Sequence, residues 1–231
     1  AMGIDMMVLD MPVGKGTKFT NLDEGRAFGR TFVDLASGLG ITAKVGITYG
    51  SVPVGHTIGP ALEAREALAA LIEPNKAPNS LVEKSTALAG LVLELAGIAI
   101  RGQGQTVADD VLRSGKAYQK MKEIIEAQGG DARIKPEEIP LGNYTMDVIA
   151  PANGWAVEIK NKALSEIARV AGAPESLGAG IELFYKKENV KKGTTIARIY
   201  ASSEHALDEA RALVAKLQPI VIEGLLLGTI S

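Results

Sequence analysis

The sequence lacks cysteine, and it contains only two histidines and few aromatic residues among its 231 positions. Without cysteine there can be no disulfide, thiolate nucleophile or cysteine-ligated metal. The two histidines, His56 and His205, are far apart in the sequence, so no histidine-based metal site is expected. The composition therefore argues against a metal site built from cysteine or histidine.

Strong charge of one sign and long apolar runs are also missing. The formal net charge is −2, whereas nucleic-acid-binding proteins normally carry a basic excess. No apolar run reaches membrane-spanning length, and no signal peptide opens the sequence. These absences predict a cytoplasmic protein that binds neither nucleic acid nor membranes, with a chain long enough for one or two domains.

Residues 1–130 predict two strands followed by a cluster of helices. The strands are expected at Met6–Leu9, ended by Asp10 and Pro12, and at Ile41–Tyr49. The helices are expected at Asn21–Gly38 with a capping box, from Pro60 onward, at Ser80–Ala96 buried inside a larger body, from a Thr106 cap through Leu112, and at Lys116–Gln128. Two strands are few for this helical cover, so we expect further sheet partners elsewhere.

Residues 131–140 are charged and contain two prolines, and they predict a linker. The segment 141–231 then predicts a smaller α+β domain. Its expected elements are strands at Thr145–Ile149, Gly154–Ile159, Ile181–Tyr185 and Thr195–Tyr200, helices at Ala163–Ala171 and His205–Leu217, a charged turn at Lys186–Gly193 and an extended run at Ile220–Ile230. The predicted fold class is α/β: a partial α/β domain in 1–130, followed by this α+β domain.

The segment between the first strand and the first helix is the strongest candidate binding site. Gly14 and Gly16 alternate with Lys15, and Lys18 follows before the helix begins. A strand that runs into a glycine-rich turn and then a helix commonly presents a loop to an anion. The spacing fits neither a Walker P-loop nor a dinucleotide-binding fingerprint. From the local pattern, phosphate binding and a turn with solvent-facing lysines both remain open.

Other polar residues have a functional and a structural interpretation. His56 could act as an acid or base, but a structural hydrogen-bonding role is favoured. Glu63, Arg65 and Glu66 could bind substrate or form ion pairs on a helix surface. Lys84 could be a buried functional amine, and a solvated pair with the neighbouring Glu83 is favoured.

A carrier-like pattern is a further possibility. Gly154 and Trp155, the turn at 191–193 and the strand from Thr195 resemble half of a biotinyl or lipoyl carrier. The carrier's modified lysine cannot be identified, and a helix interrupts the strands. We interpret this as shared strand architecture without attachment.

Several segments together resemble one family along the whole chain. They are Met7–Lys18, Ile47–Gly50, Gly55–Ala67, Ser80–Lys84, Ser114–Ala117, Ala171–Pro174 and Gly178–Leu183. The family is that of the thymidine and pyrimidine-nucleoside phosphorylases, and the likeness is greatest to the archaeal-type AMP phosphorylases. The resemblance implies that phosphate cleaves AMP to adenine and ribose 1,5-bisphosphate, without a cofactor, in an enzyme that we expect to be oligomeric.

The resemblance also assigns residues. It implies that Lys18 binds the 5′-phosphate of the nucleotide, with Lys15 a weaker candidate in the same cluster. The family's phosphate-gripping loop, base-reading residues and acidic proton donor have no counterpart here and are expected upstream of Ala1. The chain is thus expected to supply only the C-terminal half and to need an N-terminal half, or a chain that carries it. The alternatives are a pyrimidine-nucleoside phosphorylase and a non-catalytic fragment that serves folding or oligomerisation.

Overall fold

A computed structural model describes residues 3–184 and 190–224 and divides the chain into two compact units. The first unit contains Leu68–Arg133 and the chain up to Gly55. The second contains His56–Ala67 and the chain from Ile134 on. The sequence analysis did not anticipate that 56–67 would join the second unit. The domain limits of 1–130 and 141–231 stay a prediction.

The described residues contain both helices and strands, so the predicted mixed α/β class is confirmed. Up to residue 133 the elements are β1 (Met6–Val13), α1 (Leu22–Gly38), β2 (Thr42–Tyr49), β3 (Thr57–Ile58), α2 (Pro60–Ile72), α3 (Asn79–Leu95), α4 (Gly104–Arg113) and α5 (Lys116–Ala127). After it they are β4 (Tyr144–Ile149), β5 (Trp155–Ile159), α6 (Asn161–Ala171), β6 (Gly180–Leu183), β7 (Thr195–Ala201), α7 (Glu204–Leu217) and β8 (Ile220–Glu223). Short 3-10 helices lie at Pro74–Lys76 and Pro136–Glu138.

In the first unit, β1 and β2 form a parallel pair in which Met6 lies opposite Thr42. The helix α1 connects them and packs on one face of the pair. The packing is close, since a Cβ added to Gly25 would lie 2.8 Å from the Val13 side chain. The helix α3 packs on the other face, where a Cβ on Gly46 would lie 2.7 Å from Leu88. The pair is therefore the middle layer between two helices, as in α/β folds.

The first strand extends through Pro12 to Val13, so the prediction that it ends at Asp10 and Pro12 is wrong. The pairing explains why proline is tolerated. The N–H of Thr42 donates to the Asp5 carbonyl, and the N–H of Gly50 donates to the Val13 carbonyl. The main-chain groups of odd-numbered residues in β1 therefore form the hydrogen bonds with β2. Those of Pro12 face away from β2, so its lack of an N–H removes no bond from the ladder.

The helix signals were partly right. The Asn21 side chain accepts from the Glu24 N–H at 2.9 Å, which confirms the predicted cap of α1. The Glu24 carboxylate reaches back to the N–H of Thr20, one residue before the cap. The predicted cap at Thr106 is wrong, because α4 begins at Gly104 and so contains that residue.

The second unit has a well-buried core. One antiparallel sheet has the order β3-β6-β7-β4, β5 pairs with β8, and α6 and α7 pack on the larger sheet. The largest fully buried side chains of the chain all belong to this core, and they are Leu164, Ile167, Ile181, Leu183 and Ile199. The ends of two predicted strands and half of the charged turn, at 185–189 and 225–230, lie outside the described residues.

The first unit leaves more apolar surface exposed. Leu39, Ile98 and Ile100 are each about 70% exposed, at 70%, 69% and 73%. The helix α3 buries Thr86 and Gly90 and leaves Val92 about half exposed, so the prediction that it is buried inside a larger body is wrong for the described residues. No described helix is both long enough and apolar enough to span a bilayer.

The helices α3 and α4 approach each other so closely that backbone atoms are in contact. A substitution at this contact tests the packing of the first unit. A Cβ on Gly90 would lie 2.4 Å from the backbone nitrogen of Gln105. We expect Gly90→Ala to lower the free energy of unfolding by about 1–3 kcal/mol, because backbone atoms cannot rotate away from the added methyl group. The measurement is urea unfolding followed by far-ultraviolet circular dichroism.

Gly38→Ala is the matched control. It makes the same change in a helix where nothing lies within 4 Å of the new methyl group. We expect a gain of about 0.5–1 kcal/mol, since alanine loses less conformational entropy than glycine. Equal effects of the two substitutions would contradict the close approach of α3 and α4.

Candidate functional site

The loop after β1 is closed by main-chain hydrogen bonds. The N–H of Gly14 donates to the Phe19 carbonyl at 2.9 Å, and the N–H of Thr17 donates to the Gly14 carbonyl at 3.2 Å. The Thr17 hydroxyl lies within hydrogen-bond distance of both carbonyls, at 2.9 and 2.8 Å. Gly16 has φ +90°, a backbone conformation that is strained for residues with a side chain. The loop is thus a compact turn between β1 and α1.

The loop also contacts the segment that follows β2. The N–H of Lys15 donates to the Ser51 hydroxyl at 3.0 Å. A Cβ on Gly14 would lie 2.2 Å from that hydroxyl, and one on Gly50 would lie 2.5 Å from the Thr17 methyl group. The contact occurs because the carboxyl ends of parallel strands meet at one edge of the sheet, where α/β proteins usually bind ligands.

Lys18 is exposed and ends this loop. Its Nζ lies 5.7 Å from the centroid of the Phe19 ring and 5.6 Å from that of Phe28. No carboxylate of residues 3–184 or 190–224 forms an ion pair with it. The charge of Lys18 is therefore not neutralised by any described acidic residue, as an anion-binding role requires.

Asp10 connects both strands to α3. Its carboxylate accepts from the Thr48 hydroxyl at 2.7 Å and forms an ion pair with Lys84, also at 2.7 Å. The favoured pairing of Lys84 with Glu83 is therefore wrong. Sequence reasoning missed Asp10 as the partner because a residue in a strand and one in a distant helix meet only after folding. The alternating side chains of β1, which place Asp10 on the α3 face, were the available signal.

The surface of the first unit is indented near both strands. A cleft of about 320 Å³ lies beside Thr48, Ser80 and Lys84. Another, of about 560 Å³, runs along the outer edge of β2, where Lys44 pairs with Glu94 at 3.2 Å. The N–H of Gly102 holds the pKa of Glu94 below its ordinary value, and Lys44 acts in the same direction.

The other candidates belong to the second unit, where they hold main-chain groups. The Glu66 carboxylate accepts from the N–H of His56 at 2.8 Å, and Glu63 accepts from the N–H of Gly59 at 2.9 Å. Arg65 donates to the carbonyl of Ile139 at 2.7 Å. The three side chains of α2 thus fix loop backbone instead of forming the ion pairs considered from the sequence.

The second unit also contains an ionic cluster that sequence reasoning missed. Arg198 forms a two-pronged pair with Asp147, with a shortest distance of 2.6 Å, and this pair lowers the pKa of the Asp147 carboxyl. Burial, and then the neighbouring Glu182, raise the pKa of Tyr200. Within the described ranges, no three histidine or carboxylate side chains are grouped closely enough to hold a metal ion.

Comparison with known proteins identifies the relatives of this chain. Residues 155–221 match the pyrimidine nucleoside phosphorylase C-terminal domain. An AMP phosphorylase of Thermococcus kodakarensis is 51% identical over the whole chain. The chain is homologous to the AMP phosphorylases. Those of Pyrococcus horikoshii and Methanosarcina mazei are each 49% identical over the whole chain.

The match covers all of this chain but only part of each relative. It takes in 46% of the Thermococcus kodakarensis protein and 45% of the Methanosarcina mazei protein. The chain thus spans about half the length of the curated relatives it matches and corresponds to their C-terminal portion. The resemblance drawn from the sequence is confirmed, whereas the roles of Lys18 and Lys15 stay a prediction.

The fit between the two loops can be tested in this chain. We expect Gly14→Ala to displace Ser51, because the new methyl group would overlap its hydroxyl in a backbone with φ +144°. The measurement is the amide ¹H–¹⁵N spectrum of serine-labelled protein, in which the Ser51 signal should shift, because the new methyl group would lie 3.0 Å from the Ser51 nitrogen. In the control Gly40→Ala, φ is +76° but the space is open, so the Ser51 signal should stay in place. An unmoved signal in Gly14→Ala would argue against the contact.

Proposed function

We propose that the full-length protein is a nucleotide phosphorylase that converts AMP and phosphate into adenine and ribose 1,5-bisphosphate. The observation that carries this proposal is Lys18, an exposed ammonium at the carboxyl edge of a parallel sheet that forms no ion pair with a carboxylate of the described residues. The names of relatives that are about half identical to the chain support the same reaction.

The charge of the substrate explains the need for a cation. A 5′-monophosphate carries about 1.5 to 2 negative charges near neutral pH, whereas the 5′-hydroxyl of a nucleoside is neutral. An ammonium answers that charge by point-charge attraction and donates hydrogen bonds to the phosphate oxygens. We assign this role to Lys18 and a supporting role to Lys15, whose main chain is fixed by Ser51.

The reaction breaks one bond and forms another at C1′ of the ribose. The N-glycosidic bond breaks, the base leaves with the electron pair and takes up a proton, and an oxygen of inorganic phosphate bonds to C1′. Positioning the two phosphates on either side of an oxocarbenium-like sugar would supply much of the catalysis. Lys18 would hold one of these groups through the 5′-phosphate.

The remaining functions belong to the other part of the protein. We propose that the phosphate loop, the base-reading residues and the proton donor lie in the half that this chain does not include. We further propose a cytoplasmic homo-oligomer without metal or organic cofactor. The second candidate is a pyrimidine-nucleoside phosphorylase, because the C-terminal domain match carries that family's name.

Replacing Lys18 in the full-length protein separates the two candidates. We expect Lys18→Ala to lower kcat/KM for AMP by about 10- to 100-fold, which corresponds to one lost charge-assisted contact, and to leave adenosine nearly unaffected. The measurement is phosphate-dependent adenine release from each substrate. Lys116→Ala removes an exposed lysine of α5 as a control and should change neither rate. Equal losses for AMP and adenosine would contradict the assignment of Lys18, and faster cleavage of thymidine than of AMP would favour the second candidate.

The division between two halves has its own test. We expect the 231-residue chain alone to release no adenine from AMP, and the chain co-expressed with the other half to regain turnover. The measurement is the same adenine assay on matched amounts of protein. Clear turnover by the chain alone would refute the proposed division.

A further inference from the structure

Three of the four phenylalanines in the chain come together beside the candidate loop. The rings of Phe19 and Phe28 have centroids 4.9 Å apart, and the centroid of the Phe32 ring lies 6.5 Å from that of Phe28. Among the described aromatic residues, Phe19 and Phe28 have rings within cation–π distance of the Lys18 ammonium. In a chain with so few aromatic residues, this grouping calls for a specific explanation.

We propose that Phe19 and Phe28 form an aromatic platform that positions the Lys18 ammonium, and that Phe28 is thereby a specificity-determining residue for the 5′-phosphate. This proposal rests on the proposed function, because it takes the 5′-phosphate to be the ligand of Lys18. Phe28 acts through the lysine and has no assigned contact with substrate, so it is a positioning residue.

The chemistry of an aromatic ring suits this task better than a carboxylate would. A ring face attracts a cation through its quadrupole but does not cancel the charge. The contrast with Lys84 is direct, because Lys84 is held 2.7 Å from the Asp10 carboxylate and its charge is matched. On the platform, Lys18 keeps its full charge for an incoming dianion.

The platform also limits the motion of a flexible side chain. Immobilising a lysine side chain costs up to about 2 kcal/mol of rotamer entropy. If the ammonium already rests on the rings, part of this cost arises on folding and no longer opposes ligand binding. The main chain that carries both rings is held in place. The Phe19 carbonyl accepts the loop-closing bond from the N–H of Gly14, and Phe28 lies in α1, whose start is capped by Asn21.

The first test is kinetic and uses the full-length protein. We expect Phe28→Leu to lower kcat/KM for AMP by about two- to five-fold, mainly through a higher KM, as expected for loss of an exposed cation–π contact. Cleavage of adenosine should not change. Phe28→Trp should restore the AMP value, because a larger ring face holds the cation at least as well.

Phe32→Leu is the matched control, since it removes a neighbouring ring that lies outside the pair of described rings in cation–π contact with Lys18. It should leave both substrates unaffected. If Phe28→Leu lowers AMP and adenosine cleavage equally, or if leucine performs as well as tryptophan, the platform does not set specificity and the inference fails.

A second readout separates failure of this inference from failure of the proposed function. In the 231-residue chain, ring currents should move the ¹H signals of the Lys18 ε-methylene upfield. The displacement should vanish in Phe28→Leu and persist in Phe32→Leu. If AMP proves not to be a substrate while this shift is seen, the platform stands and the proposed function is wrong. If no shift is seen, the platform itself is refuted.

Discussion

The parallel pairing of β1 with β2 is the constraint on which the candidate site depends. The ladder places the ends of both strands at one edge, so the loop at 14–18 meets Ser51 and Gly50, which come from a separate part of the sequence. The same ladder directs odd-numbered residues of β1 toward β2, which is why Pro12 can occupy the strand without removing a bond from it. Shifting the register by one residue would turn Asp10 away from α3 and leave Lys84 without its carboxylate.

Two lysines close to this edge illustrate how surroundings assign different roles to one residue type. Lys84 is matched by the Asp10 carboxylate, which in turn accepts from Thr48, so this cation serves to join α3 to both strands. Lys18 rests near two aromatic rings and has no described acidic partner. A carboxylate in an ion pair neutralises the charge of the ammonium and so weakens its attraction for an anionic ligand. An aromatic ring carries no net charge, so the ammonium still attracts the ligand. Proximity to the edge of the sheet therefore does not by itself make a lysine a binding residue.

Local sequence signals were sufficient for features that depend on neighbouring residues. The cap at Asn21 and the alternating pattern of β2 need only a few consecutive positions, and both agree with the structure to within one residue. The signals failed where distant residues decide the outcome. Whether Pro12 ends the strand depends on which edge of β1 pairs with β2. The partner of Lys84 depends on how α3 packs on the sheet. The candidate loop was found from its glycines and lysines, but the approach of the Phe19 and Phe28 rings to Lys18 was not predicted, because Phe28 reaches it only after α1 has packed.

The contrast between the two units bears on how the proposed function is divided. The second unit surrounds a core in which Ile167 and Ala171 are fully buried, whereas the first has a two-stranded parallel sheet whose faces are covered and whose edges pair with no further strand of the described residues. In β2, the main-chain groups of Ala43, Val45 and Ile47 point away from β1 by the same alternation that frees Pro12. Parallel sheets are normally buried on all sides, so such edges are typical of a sheet that is completed by other strands. In the proposed full-length enzyme, strands of the other half would complete it, and the groups that hold inorganic phosphate would then stand at the same carboxyl edge as Lys18. One sheet, built from both halves, would thus set the distance between the two phosphates on which the reaction depends.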